Sequence, residues 1–229
     1  MIHLKWLMGI GIIKSETIWN LLANNYDEGE KSFELVHIKT LENTKKYLNK
    51  NDIVLDYGCA TGTKAFEIAG DVKEVHGIDI SPKMIELAKI KAGERKTSNV
   101  YFTQATIFDE RLLKGSFDVI LAFNIMHYLE DTEEVMQRIN ELLKPGGVFI
   151  SSTECMGEEE KKFSRILSFS ALFIMKKARV ISTKFYKFSE LEDLIYKGNF
   201  QIVETEKLKL RHLRFYFIVA DKMGEQNYH

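Results

Sequence analysis

Val54-Leu55-Asp56-Tyr57-Gly58-Cys59-Ala60-Thr61-Gly62-Thr63-Lys64 carries an apolar run into a glycine turn and out towards a helix. Ile53 to Asp56 reads as a short buried strand, and Lys64 to Ala69 as a helix closed by Gly70. The spacing within the turn separates classes of ligand. A dinucleotide fingerprint starting at Gly58 needs glycine at 60 and 63, where Ala60 and Thr63 stand. A phosphate-cradling P-loop needs glycine directly before Lys64 and Ser or Thr directly after it; Thr63 and Ala65 fail both conditions. A ligand without phosphates is therefore favoured.

Two carboxylates sharpen that reading. Asp56, at the carboxyl end of the first strand, repels phosphate and suits a cationic amine. Asp79 ends the next apolar run, Val75 to Ile80, about twenty residues after the glycines, where a carboxylate accepts both hydroxyls of a ribose. An adenosine carrying an amino-acid tail meets both demands. S-adenosylmethionine is such a ligand, with S-adenosylhomocysteine as the product of its use.

Outward from the turn, strands alternate with helices. Ser81 as N-cap and Pro82 at the first helical position open a helix over Lys83 to Ala92. Val100 to Thr103 and Phe117 to Phe123 read as strands. Asp131-Thr-Glu-Glu134 has capping-box spacing before a helix from Val135 to Leu143. Pro145-Gly146-Gly147 stops that helix ahead of a strand over Val148 to Ser152. Upstream, Ser15 to Tyr26 and Phe33 to Leu48 carry helical periodicity, with Phe33, Leu35, Val36, Ile38, Leu41 and Leu48 mostly on one stripe. Downstream, Ser189-Glu-Leu-Glu192 is a second capping box heading a helix that ends at Gly198. Phe200 to Glu204 and Phe215 to Asp221, joined by a short basic stretch, suggest an antiparallel pair. The expected class is α/β: a doubly wound, seven-stranded, mostly parallel sheet with the last strand antiparallel. One domain spans residues 1–229, with N-terminal helices over 1–49, a cofactor-binding core over 50–152, an insertion over 153–187 and a C-terminal helix and strand pair over 188–229.

These motifs together resemble the class I S-adenosylmethionine-dependent methyltransferases, close to the small-molecule enzymes of the quinone-biosynthesis type. VLDYGCATG, VHGIDIS, FDVILAFNIMHYLED and LLKPGGVFI stand in that family's order. The resemblance gives Gly58, Ala60 and Gly62 to the methionine moiety, Asp79 to the ribose, and Ile80 and Met84 to the adenine surroundings. It brings Ala105 and Thr106 to the adenine and sets Phe123 and Asn124 beneath the cofactor. Tyr26 resembles an N-terminal tyrosine that closes over the methionine end in relatives. Ala60 replaces the usual middle glycine by a single methyl, and Thr106 stands where many relatives have an adenine-binding Asp.

His127 follows the fourth strand and Glu154 the fifth; both are candidate bases for a deprotonation, and both suit plain structural roles. Asp118 reads as a structural turn residue. No His, Cys, Asp or Glu spacing suits a metal, and none is expected. Cys59 reads as small-residue packing. Two cysteines build neither a disulfide framework nor a zinc site and suit a reducing, cytoplasmic setting. Thirty-two Lys and Arg against 33 Asp and Glu, net charge −1, argue against a dedicated nucleic-acid partner. The apolar start, Ile2 to Ile13, is interrupted by Lys5 and is too short to span a bilayer; it reads as part of a helix or as sequence upstream of the natural start. Within the insertion, Ile166-Leu167, Phe169 and Leu172 to Met175 are apolar and flanked by Lys176, Lys177 and Arg179. That composition suits a lid over a partly apolar, small-molecule acceptor, with a basic flank for an acidic group or peripheral membrane contact. Two rival functions stay open: an RNA methyltransferase, supported by Lys207 to Arg214, and a cofactor-binding protein without catalysis.

Overall fold

The computed structural model describes residues 15–156, 184–211 and 213–224. The apolar core of the insertion and its basic flank lie outside the described residues, as do residues 1–14. Five strands, β1 (Ile53–Tyr57), β2 (Glu74–Asp79), β3 (Val100–Gln104), β4 (Phe117–Phe123) and β5 (Leu143–Met156), pair in parallel in the order β3-β2-β1-β4-β5. A two-residue strand, β6 (Tyr186–Lys187), pairs parallel with the end of β5. Beyond β5 comes β8 (Leu213–Lys222), antiparallel to it, and then β7 (Phe200–Leu210), antiparallel to β8. The described sheet therefore has eight strands: the seven expected and the short β6. Strand order reverses between β1 and β4, so the loops leaving their carboxyl ends diverge and open a crevice there.

The parallel strands are apolar on both faces because helices cover both. On one face Leu55, Ile120, Phe149 and Ile218 pack under α5 (Thr132–Leu142) and α6 (Phe188–Lys197) through Val135, Met136, Ile139, Leu191 and Ile195. On the other, Val54, Val75, Leu121 and Val219 pack under α3 (Thr63–Ile68) and α4 (Pro82–Arg95), with Val36 of α2 (Glu34–Lys45) in the same layer. Ahead of these, residues 15–22 are helical and α1 (Tyr26–Glu30) is a single short turn.

Four local readings are corrected. The apolar stripe expected on α2 is buried only in part: Val36, with Phe33, Leu41 and Leu48, packs on the core, whereas Leu35 is 72% exposed and Ile38 47%, and the polar Thr40, Asn43 and Thr44 are buried instead. The reason is the surface below. Asn43 donates to Glu206, the Tyr47 hydroxyl donates to Glu204 at 2.5 Å, and Thr40 donates to Ser152 at 3.3 Å, so a polar helix face meets inward-pointing polar groups of β7 and β5. At α5 the N-cap Asp131 makes no side-chain capping bond. At α6 the box sits two residues early, the Lys187 amide donating to Glu190 at 2.9 Å, because the helix begins at Phe188. Finally, β7 and β8 absorb the basic stretch between them. Lys207 and Lys209 are exposed while Leu208 is buried, the alternation of a half-covered strand.

Candidate active site

The turn after β1 is built from left-handed residues. Gly58, Ala60 and Gly62 have φ of +76°, +47° and +79°. A Cβ on Gly62 would lie 2.5 Å from the Phe102 ring, whereas one on Gly58 would meet only the end of the Ile125 side chain, so at Gly58 the left-handed backbone is the stronger constraint. Ala60 is left-handed yet carries its methyl. The turn is fastened to β2: the Gly58 and Cys59 amides both donate to the Ile78 carbonyl, at 2.9 and 3.0 Å. Cys59 is buried and unbonded to another cysteine, and its sulfur lies 2.9 Å from where a Cβ on Gly77 would stand.

Asp79 closes the same unit. One carboxylate oxygen accepts from the Ala60 amide at 3.1 Å and the other from the Ser81 amide at 2.8 Å. Those bonds hold the carboxylate against the turn and leave further acceptor capacity on both oxygens. Burial raises its pKa, and the amide donors of Ser81, Ala60 and Ile80 oppose the rise. Asp56 is 3% exposed and its Oδ2 has no hydrogen-bond partner. Burial is the main cause that pushes its pKa up to about 7, with Lys64 opposing and Asp79 adding to the rise.

Across the crevice, Asn124 follows β4 with φ +55°, its amide donating to the Ser152 carbonyl at 2.7 Å and its Oδ1 buried without a partner. The N-terminal segment meets the turn from above. Asp27 accepts from the Thr61 hydroxyl at 2.5 Å and from Lys91 at 2.5 Å, and Glu30 accepts from Lys64 at 2.9 Å. Trp19 sets its ring edge-on to both Tyr26 and Tyr128, at 6.5 and 5.0 Å. Between these parts lies a cavity of about 70 Å³ whose walls include Tyr26, Glu30, His37, Asp56, Lys64 and Phe123, together with Gly58, Ala60 and Thr61 of the turn.

The structure thus gathers Tyr26, Asp56, Gly58, Ala60 and Phe123 on one cavity, and ties Asp79 to Ala60 beside it. Ala105 stands at the end of β3, its amide donating to the Asp79 carbonyl at 3.0 Å, followed by Thr106, while Ile80 extends β2. Met84 is 1% exposed, its amide donating to Ser81 at 3.1 Å. His127 and Glu154 do not line the cavity at the turn. Burial lowers the His127 pKa to about 4, and its Nδ1 is enclosed without a hydrogen-bond partner. Burial raises the Tyr128 phenol pKa, and the nearby Glu154 carboxylate adds to the rise. Asp118 is structural, accepting from the Ile53 amide at 2.8 Å and from Lys144 at 2.7 Å. Sequence reasoning missed Glu30, His37 and Lys64. They lie on α1, α2 and α3, and no local pattern joins them.

Comparison with known proteins decides the family. A methyltransferase-domain profile matches residues 48–210, well over half of the chain. The chain belongs to that family. It is a class I S-adenosylmethionine-dependent methyltransferase. It is similar to demethylmenaquinone methyltransferase of Lactococcus lactis, 27% identical and covering 84% of each chain. It is also similar to phosphoethanolamine N-methyltransferase 2 of Caenorhabditis elegans, 27% identical over 97% of this chain but spanning only 45% of that protein. In fold it resembles geranyl diphosphate C-methyltransferase of Streptomyces coelicolor, with TM-score 0.67, 14% identity and coverage of 81% of this chain and 79% of that one. That structure holds S-adenosylhomocysteine, Mg2+ and geranyl diphosphate. In the methyltransferase described here, no group of three or more metal-ligating side chains occurs among the described residues. Among the same residues no helix is long and apolar enough to cross a membrane. The residues present fit an adenosine carrying an amino-acid tail: a carboxylate with spare acceptor capacity at Asp79, an enclosed unpartnered carboxylate oxygen at Asp56, and a glycine-built turn between them.

Proposed function

We propose that this methyltransferase transfers a methyl group to a small, partly apolar acceptor by direct in-line displacement. The observation that carries the reading is the Asp79 carboxylate, held by the Ala60 and Ser81 amides against a turn whose neighbouring Asp56 is buried and unpartnered. Asp79 takes the two ribose hydroxyls of S-adenosylmethionine, and Asp56 takes the ammonium of its amino-acid tail. A bound cation there favours the ionised form of Asp56 and draws its raised pKa down. Gly58, Ala60 and Gly62 let the backbone approach the methionine chain, with Tyr26 closing that end. Ile80, Ala105 and Thr106 border the adenine, with Met84 behind them, and Phe123 and Asn124 lie beneath the sulfur.

The cofactor supplies an electrophilic methyl on a sulfonium. The protein's task is then to hold a nucleophile in line and to keep water out, which at best supplies on the order of 7–11 kcal/mol. Phe123, Leu41 and the aromatic group of Trp19, Tyr26 and Tyr128 give the apolar surroundings such an acceptor needs. His127, kept neutral by burial, is a hydrogen-bonding group beside the acceptor, and Glu154 is the carboxylate that β5 brings near Tyr128. The names of the relatives, a quinone-type and an amine-type methyltransferase, support a small-molecule acceptor. Lys207 and Lys209 lie on the exposed face of a strand whose Leu208 is buried, so a half-covered strand accounts for the basic stretch without an RNA partner. A screen of small acceptors with radiolabelled methyl donor tests the reading. Transfer to a phenolic, amine or activated-carbon acceptor is expected. Cofactor binding without transfer to any member of these classes would favour the non-catalytic rival.

A further inference from the structure

The cavity between the glycine turn and the N-terminal segment holds more charge than the binding of an ammonium group requires. Asp56 and Glu30 contribute two carboxylates and Lys64 one cation. His37, 3.2 Å from Glu30, has its pKa lowered to about 4, mainly by burial, and adds no charge near neutral pH. Lys64 is well enclosed, its side chain 17% exposed, and pairs with Glu30, 22% exposed, at 2.9 Å. Asp56 lines the same wall with Oδ2 unpartnered. Burying an ion pair beside an orphaned carboxylate is costly unless a ligand completes the set. With Asp56 ionised, as a bound cation favours, the walls sum to one net negative charge. A ligand end presenting an ammonium, a carboxylate and a sulfonium sums to one net positive charge.

We propose that Lys64 is the anchor for the carboxylate of the cofactor's amino-acid tail, with Glu30 of the N-terminal segment holding the ammonium of Lys64 in place. The inference rests on the cofactor reading of the site given above, and assigns the half of the zwitterion that Asp56 cannot take. The chemistry suits the geometry. A lysine ammonium has three donors; one is engaged by Glu30, and two remain for a ligand carboxylate. Glu30 lies on α1 and Lys64 on α3, so closing the N-terminal segment on the turn also fixes the anchor. Asp27, bonded to Thr61 and Lys91, pins the same segment from its other side. Asp56 and Lys64 then discriminate the two ends of one amino acid by charge sign.

The test is calorimetric and needs no acceptor. Three probes are titrated: S-adenosylhomocysteine, its decarboxylated analogue, which keeps the amine, and 5′-deoxy-5′-methylthioadenosine, which lacks the tail. The wild-type protein is expected to prefer S-adenosylhomocysteine over the decarboxylated analogue by at least about tenfold, the scale of a charge-assisted hydrogen bond. Lys64→Met should abolish that preference while leaving affinity for the other two probes within about threefold. Lys64→Arg should keep most of it. An unchanged preference in Lys64→Met, or equal weakening of all three probes as expected of a purely structural ion pair, overturns the assignment. So does a wild-type protein indifferent to the carboxylate, a result that needs no variant to fold. Failure of the wild type to bind S-adenosylhomocysteine and methylthioadenosine alike overturns the cofactor reading as well, and so separates the two failures.

Discussion

Gly62→Ala tests the turn most severely. Its φ of +79° lies in the left-handed region, where a Cβ costs about 1–2 kcal/mol. The reduced freedom of the unfolded chain returns about 0.4–1 kcal/mol of that. The larger contribution is steric: the new Cβ would stand 2.5 Å from Phe102 Cζ and 3.2 Å from Phe66 Cε2. Phe102 is 6% exposed and its ring packs edge-on against Phe66 at 5.5 Å, so it cannot swing aside without disturbing a second ring. Overpacking of this kind costs about 1–3 kcal/mol. A net loss of about 3 kcal/mol follows, which in a chain of this size lowers Tm by about 6–12 °C. Thermal and urea unfolding of the purified variant measure it. Phe102→Leu in the Gly62→Ala background should recover part of the loss, because the steric part disappears while the backbone part stays. A Gly62→Ala protein melting within experimental error of wild type would refute the left-handed, ring-packed turn.

Asp56→Asn should trade binding for stability. The folded pKa of Asp56, about 7, lies above its ordinary 3.8, so the folded state holds the extra proton and stability is lost as pH rises through that window. The variant is therefore expected to melt above wild type at pH 8, with little difference at pH 4, and to bind S-adenosylmethionine more weakly. Equal melting curves at pH 8 would exclude a costly buried carboxylate. His37 and His127 act with the opposite sign: their folded pKa values, about 4, lie below the ordinary 6.5, so stability is lost as pH falls from 6.5 towards 4. Paired His37→Gln and His127→Gln substitutions should flatten that acid limb, read by melting temperature against pH. Once an acceptor is known, His127→Ala should lower turnover more than cofactor affinity. His127→Gln should restore part of the turnover if the imidazole only donates a hydrogen bond, and none if it removes a proton.

The alternation of apolar runs and capped helices made the doubly wound sheet legible, and β1, β2 and β4 fall within a residue of where periodicity places them. Helix α2 was legible only in part: Val36, with Phe33, Leu41 and Leu48, packs on the core as its period implies. Its apolar residues Leu35 and Ile38 point outward, because the face it covers presents Glu204 and Glu206 from β7, far away in sequence. A hydrophobic period reports burial only where the partner surface is apolar. The turn glycines and Asp79 were legible because their spacing encodes a backbone conformation and a strand end. Glu30, His37 and Lys64 were not, since three ordinary polar residues on three helices acquire meaning only when the chain packs them onto one cavity.

Asp79, fixed by the Ala60 and Ser81 amides at the end of β2, is the residue proposed to hold the ribose of the methyl donor. Titration of S-adenosylmethionine and S-adenosylhomocysteine into wild type and Asp79→Ala tests it directly. The two ligands share the ribose, so removal of two hydrogen bonds to a charged acceptor should weaken both to a similar extent, by about 100-fold or more. Wild-type affinity of the alanine variant for both ligands, in a protein that still melts cooperatively, would remove Asp79 from the site and contradict the account.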